Sequence, residues 1–226
     1  PLCFGEATKF SQFLLDANKT YTSTFVLGQS STTDDADGEI TAVADASKLT
    51  EAEVLSALMS FQGEQQQVPP MYSALKHNGE RLYKLARRGE EVERASRDIC
   101  VDDIELLAFR VNDASQVVEI DLCLAVSKGT YIRRIAADLG EKLAVGGFVS
   151  VLRRVQSGPF VESQAIDFEQ LARLEGDDNT TALDELLLPM DSALQHIPSV
   201  VLDTSTGFYL QRGQAVQVLD SPLNGK

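Results

Sequence analysis

The sequence predicts an α+β fold with a mixed, mostly antiparallel sheet and flanking helices. Short segments with the composition or the two-residue alternation of β-strands occur between residues 20 and 155. Amphipathic segments with helical spacing of their apolar residues lie among them. The two kinds of segment do not alternate as regularly as a parallel βαβ sheet requires, and the connections between them are long.

The first part of the chain contains two predicted helices and one predicted strand. Residues 5–15 have apolar residues at helical spacing, and residues 20–27 (TYTSTFVL) are rich in β-branched and aromatic residues. The polar residues 28–38 (GQSSTTDDADG) follow as a loop. A Thr-x-x-Glu sequence at residues 50–53 predicts a capping box and the start of a helix that ends near Gly63.

The middle of the chain begins with an extended segment, because the two prolines in residues 68–71 (VPPM) exclude a helix. Residues 80–88 predict a short basic helix, and strands are predicted at residues 99–109 and 117–126. The remaining predicted elements are a helix at 130–143, a strand at 149–155, helices at 168–174 and 180–188, and short strands at 200–202 and 215–219.

The net charge of −14 argues at first against binding of nucleic acid, which usually requires a basic surface. The charge is unevenly distributed, however. The segment from Lys76 to Arg154 holds 14 of the 20 basic residues and 13 of the 34 acidic residues, a net charge of +1. A basic groove on an acidic protein is compatible with RNA binding, because only the groove has to neutralise phosphates.

Three widely separated cysteines, two histidines and the lack of a Cys-x-x-Cys pair argue against a disulfide framework and a zinc site. This usage is typical of reduced, buried thiols in a cytoplasmic protein. The DDADG run at residues 34–38 resembles a calcium loop only in part, since it lacks the full alternate spacing and the closing glutamate. These observations lead us to expect no metal. We also find no run of 18 apolar residues and no signal peptide, so we expect no membrane segment.

The segment SKGTYIRR (residues 127–134) lies where a predicted strand ends and a predicted helix begins. Gly129 permits a tight turn and Thr130 can cap the helix. This places Tyr131 and Arg133 at the end of a strand, where side chains often meet a substrate. Taken alone, the pattern more often accompanies an ordinary turn that carries a surface tyrosine and a solvated arginine.

Three further segments combine charged and aromatic residues. Lys19 and Tyr21 lie at the start of the segment that leads into the acidic loop. The adjacent Arg153 and Arg154 lie on a predicted strand and point to opposite faces, so only one of them can line a given groove. In residues 70–89, basic and aromatic residues interleave, as they do on surfaces that contact RNA. The alternatives are solvated charges on an edge strand and a basic amphipathic helix packed on the core.

Together and in this order, the four segments resemble the TruB family of pseudouridine synthases. Residues 1–9 (PLCFGEATK) are similar to the end of the family's nucleophile motif, roughly G-x-L-D-P-x-A-T-G-x-L-x-x-x-x-G-x-A-T-K. Counted along that motif, its aspartate is expected about eight residues before Pro1. The resemblance extends to about Pro189 and, more weakly, to the end of the chain. It implies a pseudouridine synthase domain without its N-terminal part (residues 1–196) and an incomplete PUA-like RNA-binding β domain (residues 197–226).

The resemblance implies a tRNA pseudouridine synthase that acts on a T-loop uridine, position 55, without a metal or redox cofactor. In this family the uridine flips out of the loop, a carboxylate attacks the nucleotide, the glycosidic bond breaks, and the base rotates and rejoins through C5. The implied partner is the T-arm stem-loop of tRNA, and we expect a cytoplasmic monomer.

By resemblance, Tyr131 and Arg133 are the catalytic residues. Tyr131 contacts the base and removes the C5 proton, while Arg133 pairs with the upstream aspartate and keeps it ionised and oriented. Tyr21 stacks on the uracil, and Leu152 lines the pocket. The residues expected to contact phosphates are Lys19, Lys76, Arg87 and Arg154.

Because the motif places the nucleophile before Pro1, we expect the 226-residue chain by itself to be inactive. One alternative is a catalytically inactive tRNA-binding module of the same fold. A more distant alternative is an enzyme that uses Tyr131 and Arg133 on a small anionic substrate, although the long basic and aromatic block at residues 70–89 argues against a small ligand. An aspartate in a G-x-L-D-P context upstream would favour the pseudouridine synthase.

Overall fold

A six-stranded antiparallel sheet is the framework of this computed structural model, which describes residues 1–175, 180–195 and 197–218. The strands are β1 (Lys19–Leu27), β2 (Gln29–Ser31), β3 (Ile40–Ala42), β4 (Gly63–Gln67), β5 (Lys76–His77), β6 (Glu80–Arg81), β7 (Arg97–Asn112), β8 (Val117–Val126), β9 (Gly147–Ser157) and β10 (Phe160–Val161). The main sheet has the order β10-β9-β1-β8-β7-β4, and β2–β3 and β5–β6 form separate pairs. All pairings between these strands are antiparallel, which confirms the predicted fold class.

The helices follow the predicted positions closely up to residue 175. The α-helices are α1 (Ser11–Asp16), α2 (Glu51–Met59), α3 (Leu82–Arg87), α4 (Ile132–Lys142), α5 (Phe168–Glu175), α6 (Thr180–Asp184) and α7 (Thr204–Leu210), and 3₁₀ helices cover Gly5–Phe10, Glu162–Gln164 and Ser192–Leu194. The predicted capping box is present at the start of α2, where the Thr50 hydroxyl accepts the Glu53 N–H and the Glu53 carboxylate accepts the Thr50 N–H. Within the described ranges, no helix is long and apolar enough to cross a membrane.

The main core lies between the sheet and the helices α2 and α4. Alternate residues of β8 point into it and are fully buried, as the sequence pattern predicted. Each such apolar side chain contributes about 1.5–3 kcal/mol to folding by leaving water. The core side chains from β1, α2, β8 and α4 include Phe25, Leu27, Val54, Leu58, Val118, Ile120, Leu122, Leu124, Ile132, Ile135, Ala136 and Leu139. A smaller cluster of Val26, Val117 and Phe148 lies on the opposite face of the sheet.

Gly140 allows α4 to approach the start of β9 at backbone distance. A Cβ atom added at this position would lie 2.1 Å from the carbonyl carbon of Gly146 and 2.1 Å from the amide nitrogen of Gly147. Only a residue without a side chain fits there, since real Cβ atoms do not approach backbone so closely. This contact fixes the position of the helix whose first turn carries Arg133.

Three of the differences between the sequence analysis and the structure concern the site or the division into domains. Thr130 does not cap α4, because the N-cap position is Tyr131, whose side chain forms no cap hydrogen bond. The Thr130 hydroxyl instead lies 3.4 Å from the Ser127 hydroxyl. The edge strand β4 has the polar sequence GEQQQ, which lacks the composition of a strand, and it forms because it pairs with β7.

The third difference concerns the last part of the chain. The strand predicted at residues 200–202 is irregular, and α7 follows it, with the Asp203 carboxylate accepting the N–H of Thr206 at 2.8 Å as an N-cap. Of the strand predicted at residues 215–219, residues 215–218 are irregular and residue 219 lies outside the described ranges, as do residues 220–226. The division into a synthase domain and a PUA-like domain stays a prediction.

Candidate active site

The candidate site lies at the end of the sheet where β1 begins and β8 ends. Lys19 pairs with Val126, and Tyr21 pairs with Leu124. The turn after Val126 leads within five residues to Tyr131, the N-cap of α4. Tyr21 packs against the main core that α4 covers, so the two tyrosines lie on the same side of the sheet and toward the same end.

Leu152 and Arg154 of β9 share the face of Tyr21. Leu152 is paired with Ser23 and Arg154 with Tyr21, and directly opposite residues in an antiparallel pair point to the same face. A register shift between Thr20 and Tyr21 bulges β9 at this point, which is a common way to redirect a side chain near a functional site. Leu152 is about half exposed and therefore available to a ligand.

The two adjacent arginines of β9 have separate environments, as the strand pattern predicted. Arg153 forms an ion pair with Glu162 in the 3₁₀ helix after β10. Arg154 lies on the Tyr21 face and is exposed. Only Arg154 therefore faces the candidate site.

The turn before α4 is held by backbone and side-chain hydrogen bonds. Ser127 donates its N–H to the Cys100 carbonyl at 2.8 Å, and its hydroxyl accepts the Cys100 N–H at 2.8 Å. Gly129 has a φ of +80°, a left-handed conformation that glycine adopts without strain. The buried side chain of Gln67 then binds both backbone groups of Tyr131. The position of Tyr131 is thus fixed by the turn that Ser127 anchors to Cys100 and by the side chain of Gln67.

Arg133 is held by an acceptor from each of two distant segments. Its Nη1 donates to Oδ2 of Asp35 at 2.5 Å, and its Nη2 donates to the backbone carbonyl of Tyr72 at 2.6 Å. The side chains of Arg133 and Asp35 are 24% and 27% exposed, so water screens this ion pair only partly. The guanidinium group is therefore locked in one orientation.

Asp35 is a site residue that the sequence pattern did not indicate. Its Oδ1 accepts hydrogen bonds from the Thr33 hydroxyl at 2.5 Å and from the Asp37 N–H at 3.2 Å, so the carboxylate is itself oriented. The available signal was a run of three carboxylates in the loop that follows the strand of Tyr21. Its partner is 98 residues away, and nothing local indicates that pairing.

Asp34, next to Asp35, lies beside Arg134 at a distance of 4.0 Å between Oδ2 and Nη1. Burial raises the pKa of Asp34, and the neighbouring guanidinium groups of Arg134 and Arg133 oppose that rise. A cavity of about 440 Å³ opens here and is lined in part by Asp34, Gln67 and Tyr72. This cavity adjoins the Arg133 ion pair through Asp34 and Tyr72, and the charged side chains of Arg94, Arg134 and Asp138 also line it.

Lys19 forms three hydrogen bonds to the C-terminal end of α1. Its Nζ donates to the carbonyls of Leu14, Leu15 and Ala17 at 3.2, 2.7 and 2.6 Å. Burial lowers the pKa of Lys19, and the nearby Arg154 adds to the effect. The predicted phosphate contact of Lys19 stays a prediction, and such a contact would have to replace one of these three bonds.

Lys76 and Arg87 project from the block at residues 70–89. Both side chains are exposed, in β5 and α3 respectively. Arg87 lies over the ring of Tyr83, with its Cζ 5.5 Å from the ring centroid. The same helix buries Leu82 and Leu85, so α3 packs on the protein and also presents basic residues to solvent.

Among the described residues, no group of three or more His, Cys, Asp or Glu side chains is placed to hold a metal ion. All three cysteines are free and partly buried. The acidic segment at residues 34–38 directs its Asp35 carboxylate to Arg133.

Comparisons with known proteins agree with one another. Residues 1–132 match the family model described as TruB family pseudouridylate synthase (N terminal domain), and residues 133–195 match the model described as tRNA pseudouridylate synthase B C-terminal domain. The chain is 53% identical over 216 residues to the tRNA pseudouridine synthase B of Saccharophagus degradans, which covers 96% of this chain and 68% of that protein. It is 47% identical over 225 residues to the protein of the same name from Stutzerimonas stutzeri, covering 100% of this chain and 72% of that one.

Solved structures show the same fold. The chain resembles one in a crystal structure titled Cbf5-Nop10-Gar1 complex, with a TM-score of 0.65 and 26% identity. The likeness covers 91% of this chain and 52% of that one. The chain therefore spans about half the length of this structural relative.

Proposed function

The chain belongs to the TruB family of pseudouridine synthases, and we propose that it supplies most of the active site of an enzyme that converts uridine 55 in the tRNA T-loop to pseudouridine. The observation that carries this proposal is the oriented ion pair between Asp35 and Arg133, which lies two residues along the chain from Tyr131, on the helix that covers the same face of the sheet as Tyr21 and Leu152. An isomerase of this kind needs no atoms beyond those of its substrate and a nucleophile, which in our proposal is an aspartate upstream of Pro1.

The reaction begins with a flipped uridine. Flipping a loop base costs only a few kcal/mol because its stacking is already weak, and stacking on Tyr21 recovers about 1–3 kcal/mol. The aspartate, oriented by Arg133, attacks C1′, and the bond between C1′ and N1 breaks with its electrons going to N1. The uracil rotates so that C5 bonds to C1′ as the aspartate leaves C1′. Tyr131 accepts the proton that leaves C5, and N1 takes up a proton. Leu152 lines the pocket in which the ring turns.

Asp35 acts on this reaction through Arg133. A guanidinium group can hold two carboxylates through its several donors. In our proposal Asp35 and the Tyr72 carbonyl hold one side of the group, and the remaining N–H donors face the nucleophile. Asp35 is therefore a positioning residue.

We expect the 226-residue chain to release no tritium from C5-labelled uridine in tRNA, and the same chain preceded by its G-x-L-D-P segment to release it. The reason is that the nucleophile is supplied by that segment. Release by the 226-residue chain would mean that a carboxylate within it, such as Asp34 or Asp35, is the nucleophile. Failure of the longer protein to release tritium from tRNA that it binds would favour the inactive RNA-binding module.

Affinity for the tRNA T-arm should fall steeply with salt in spite of the net charge of −14. If Lys76, Arg87 and Arg154 contact phosphates, log Kd should change with log salt concentration by about 0.9 per contact, or close to 3 in total. Replacing Lys76 by alanine should lower the slope by about 1. The matched control is Lys48→Ala, an exposed lysine outside the basic block. An affinity independent of salt would rule out phosphate contacts as the source of binding.

A further inference from the structure

Gln67 is one of the few buried polar side chains of the described residues, with 5% of its surface exposed. It lies at the end of β4, and its side-chain amide makes two hydrogen bonds to one residue 64 positions later. Oε1 accepts the backbone N–H of Tyr131 at 2.8 Å, and Nε2 donates to the backbone carbonyl of Tyr131 at 3.2 Å. The side-chain amide thus pairs with both backbone groups of Tyr131, as the backbone of a neighbouring strand would.

These two bonds act where α4 has no other cap. The N-cap position is Tyr131, and its side chain does not form a cap hydrogen bond. A buried N–H without an acceptor costs about 1–3 kcal/mol, so some partner for Tyr131 is expected on grounds of stability alone. Gln67 does more than satisfy a donor, because two bonds to the same residue fix both its position and its rotation.

The segment that begins with Gln67 also reaches the second catalytic candidate. Five residues later, the Tyr72 carbonyl accepts from Nη2 of Arg133. We refer to residues 67–72 as the brace. The same segment leads into the basic block, where the N–H of Tyr83 donates to the Ser73 carbonyl at 3.0 Å. The brace therefore contacts Tyr131 and Arg133 through direct hydrogen bonds, and Ser73, the residue after it, bonds to the helix that carries Arg87.

We propose that Gln67 is a positioning residue for the isomerisation, which sets the location of Tyr131 through its backbone. The proposal rests on the proposed function for its effect on rate, and its geometric part can be tested without turnover.

The kinetic test uses the full-length protein with Gln67→Met, which keeps the length of the side chain and removes both hydrogen bonds. Since a misplacement of about 1 Å can cost on the order of a hundredfold in rate, we expect the single-turnover rate to fall at least tenfold and the Kd for tRNA to change little. The matched control is Gln66→Met, a neighbouring glutamine that is exposed and bonds to Asp98 instead. Combined with Tyr131→Phe, Gln67→Met should add almost nothing, because both changes act on the same residue.

The structural test is hydrogen exchange of the Tyr131 amide followed by NMR. Gln67→Met should accelerate that exchange, Gln66→Met should not, and Gln67→Glu should restore part of the protection because it keeps an acceptor for the N–H. Unchanged exchange in Gln67→Met would overturn the proposal, even if the wild-type protein had no synthase activity and the proposed function failed. Equal rate losses in the two methionine variants, a parallel loss of affinity, or a fully additive effect with Tyr131→Phe would also overturn it.

Discussion

Replacing Tyr131 by phenylalanine should lower the single-turnover rate of pseudouridine formation by a factor of about 10² to 10⁴, the usual contribution of a positioned proton acceptor. The ring keeps its place, because the Gln67 amide holds the backbone rather than the phenol. The Kd for tRNA should therefore change little. Rapid-quench measurement of tritium release, with the Kd measured on the same preparation, separates the two quantities.

Two other tyrosine variants serve as controls for the Tyr131→Phe result. Tyr209→Phe, in α7 and not among the residues of the candidate site, should leave the rate unchanged. Tyr21→Phe keeps the stacking surface and removes only the hydroxyl. If the large loss follows Tyr21→Phe and not Tyr131→Phe, the phenol of Tyr21 accepts the proton and our assignment is wrong.

Arg133→Lys should lower the rate about a hundredfold while the Kd for tRNA stays nearly constant. Lysine keeps the positive charge, and so keeps the long-range attraction to RNA. It replaces a planar fork by a single ammonium group, which cannot reproduce the paired geometry toward the Asp35 carboxylate and the Tyr72 carbonyl. The nucleophilic aspartate would no longer be held in its attacking position, and a small misplacement of a reacting group has a large effect on the rate.

The matched control for Arg133→Lys is Arg110→Lys. Arg110 makes a similar two-nitrogen pair with Asp121, at 2.5 and 2.8 Å, on the strands β7 and β8. Loss of this pair should leave the rate of pseudouridine formation unchanged. Thermal unfolding of both variants will show whether either is destabilised. Equal rates for Arg133→Lys and wild type would remove Arg133 from the active site. Parallel losses of rate and affinity would reassign it to phosphate binding.

The sequence predicted elements whose causes are local. The alternation in β8 and the capping box at Thr50 are readable because the residues that produce them are neighbours. The helix α7 also has a local start signal, the Asp203 cap, but the short apolar run before it has the composition of a strand. The polar strand β4 could not be predicted, since its cause is pairing with β7.

The residues of the candidate site also divide into those with a local sequence signal and those that depend on distant partners. Tyr131 and Arg133 stand out in a strand-to-helix turn, whereas Asp35 and Gln67 become site residues only through partners 98 and 64 positions away. A polar residue in a loop or on an edge strand has no local pattern that identifies its partner. Such contacts require the fold itself.

The close approach of α4 to β9 at Gly140 has an evolutionary consequence. Any side chain at this position would have to displace the backbone at Gly146 and Gly147. The helix would then shift as a rigid rod and carry Arg133 with it. Selection on the chemistry should therefore restrict variation at a residue that has no functional group, about two turns along the helix from the arginine it helps to place.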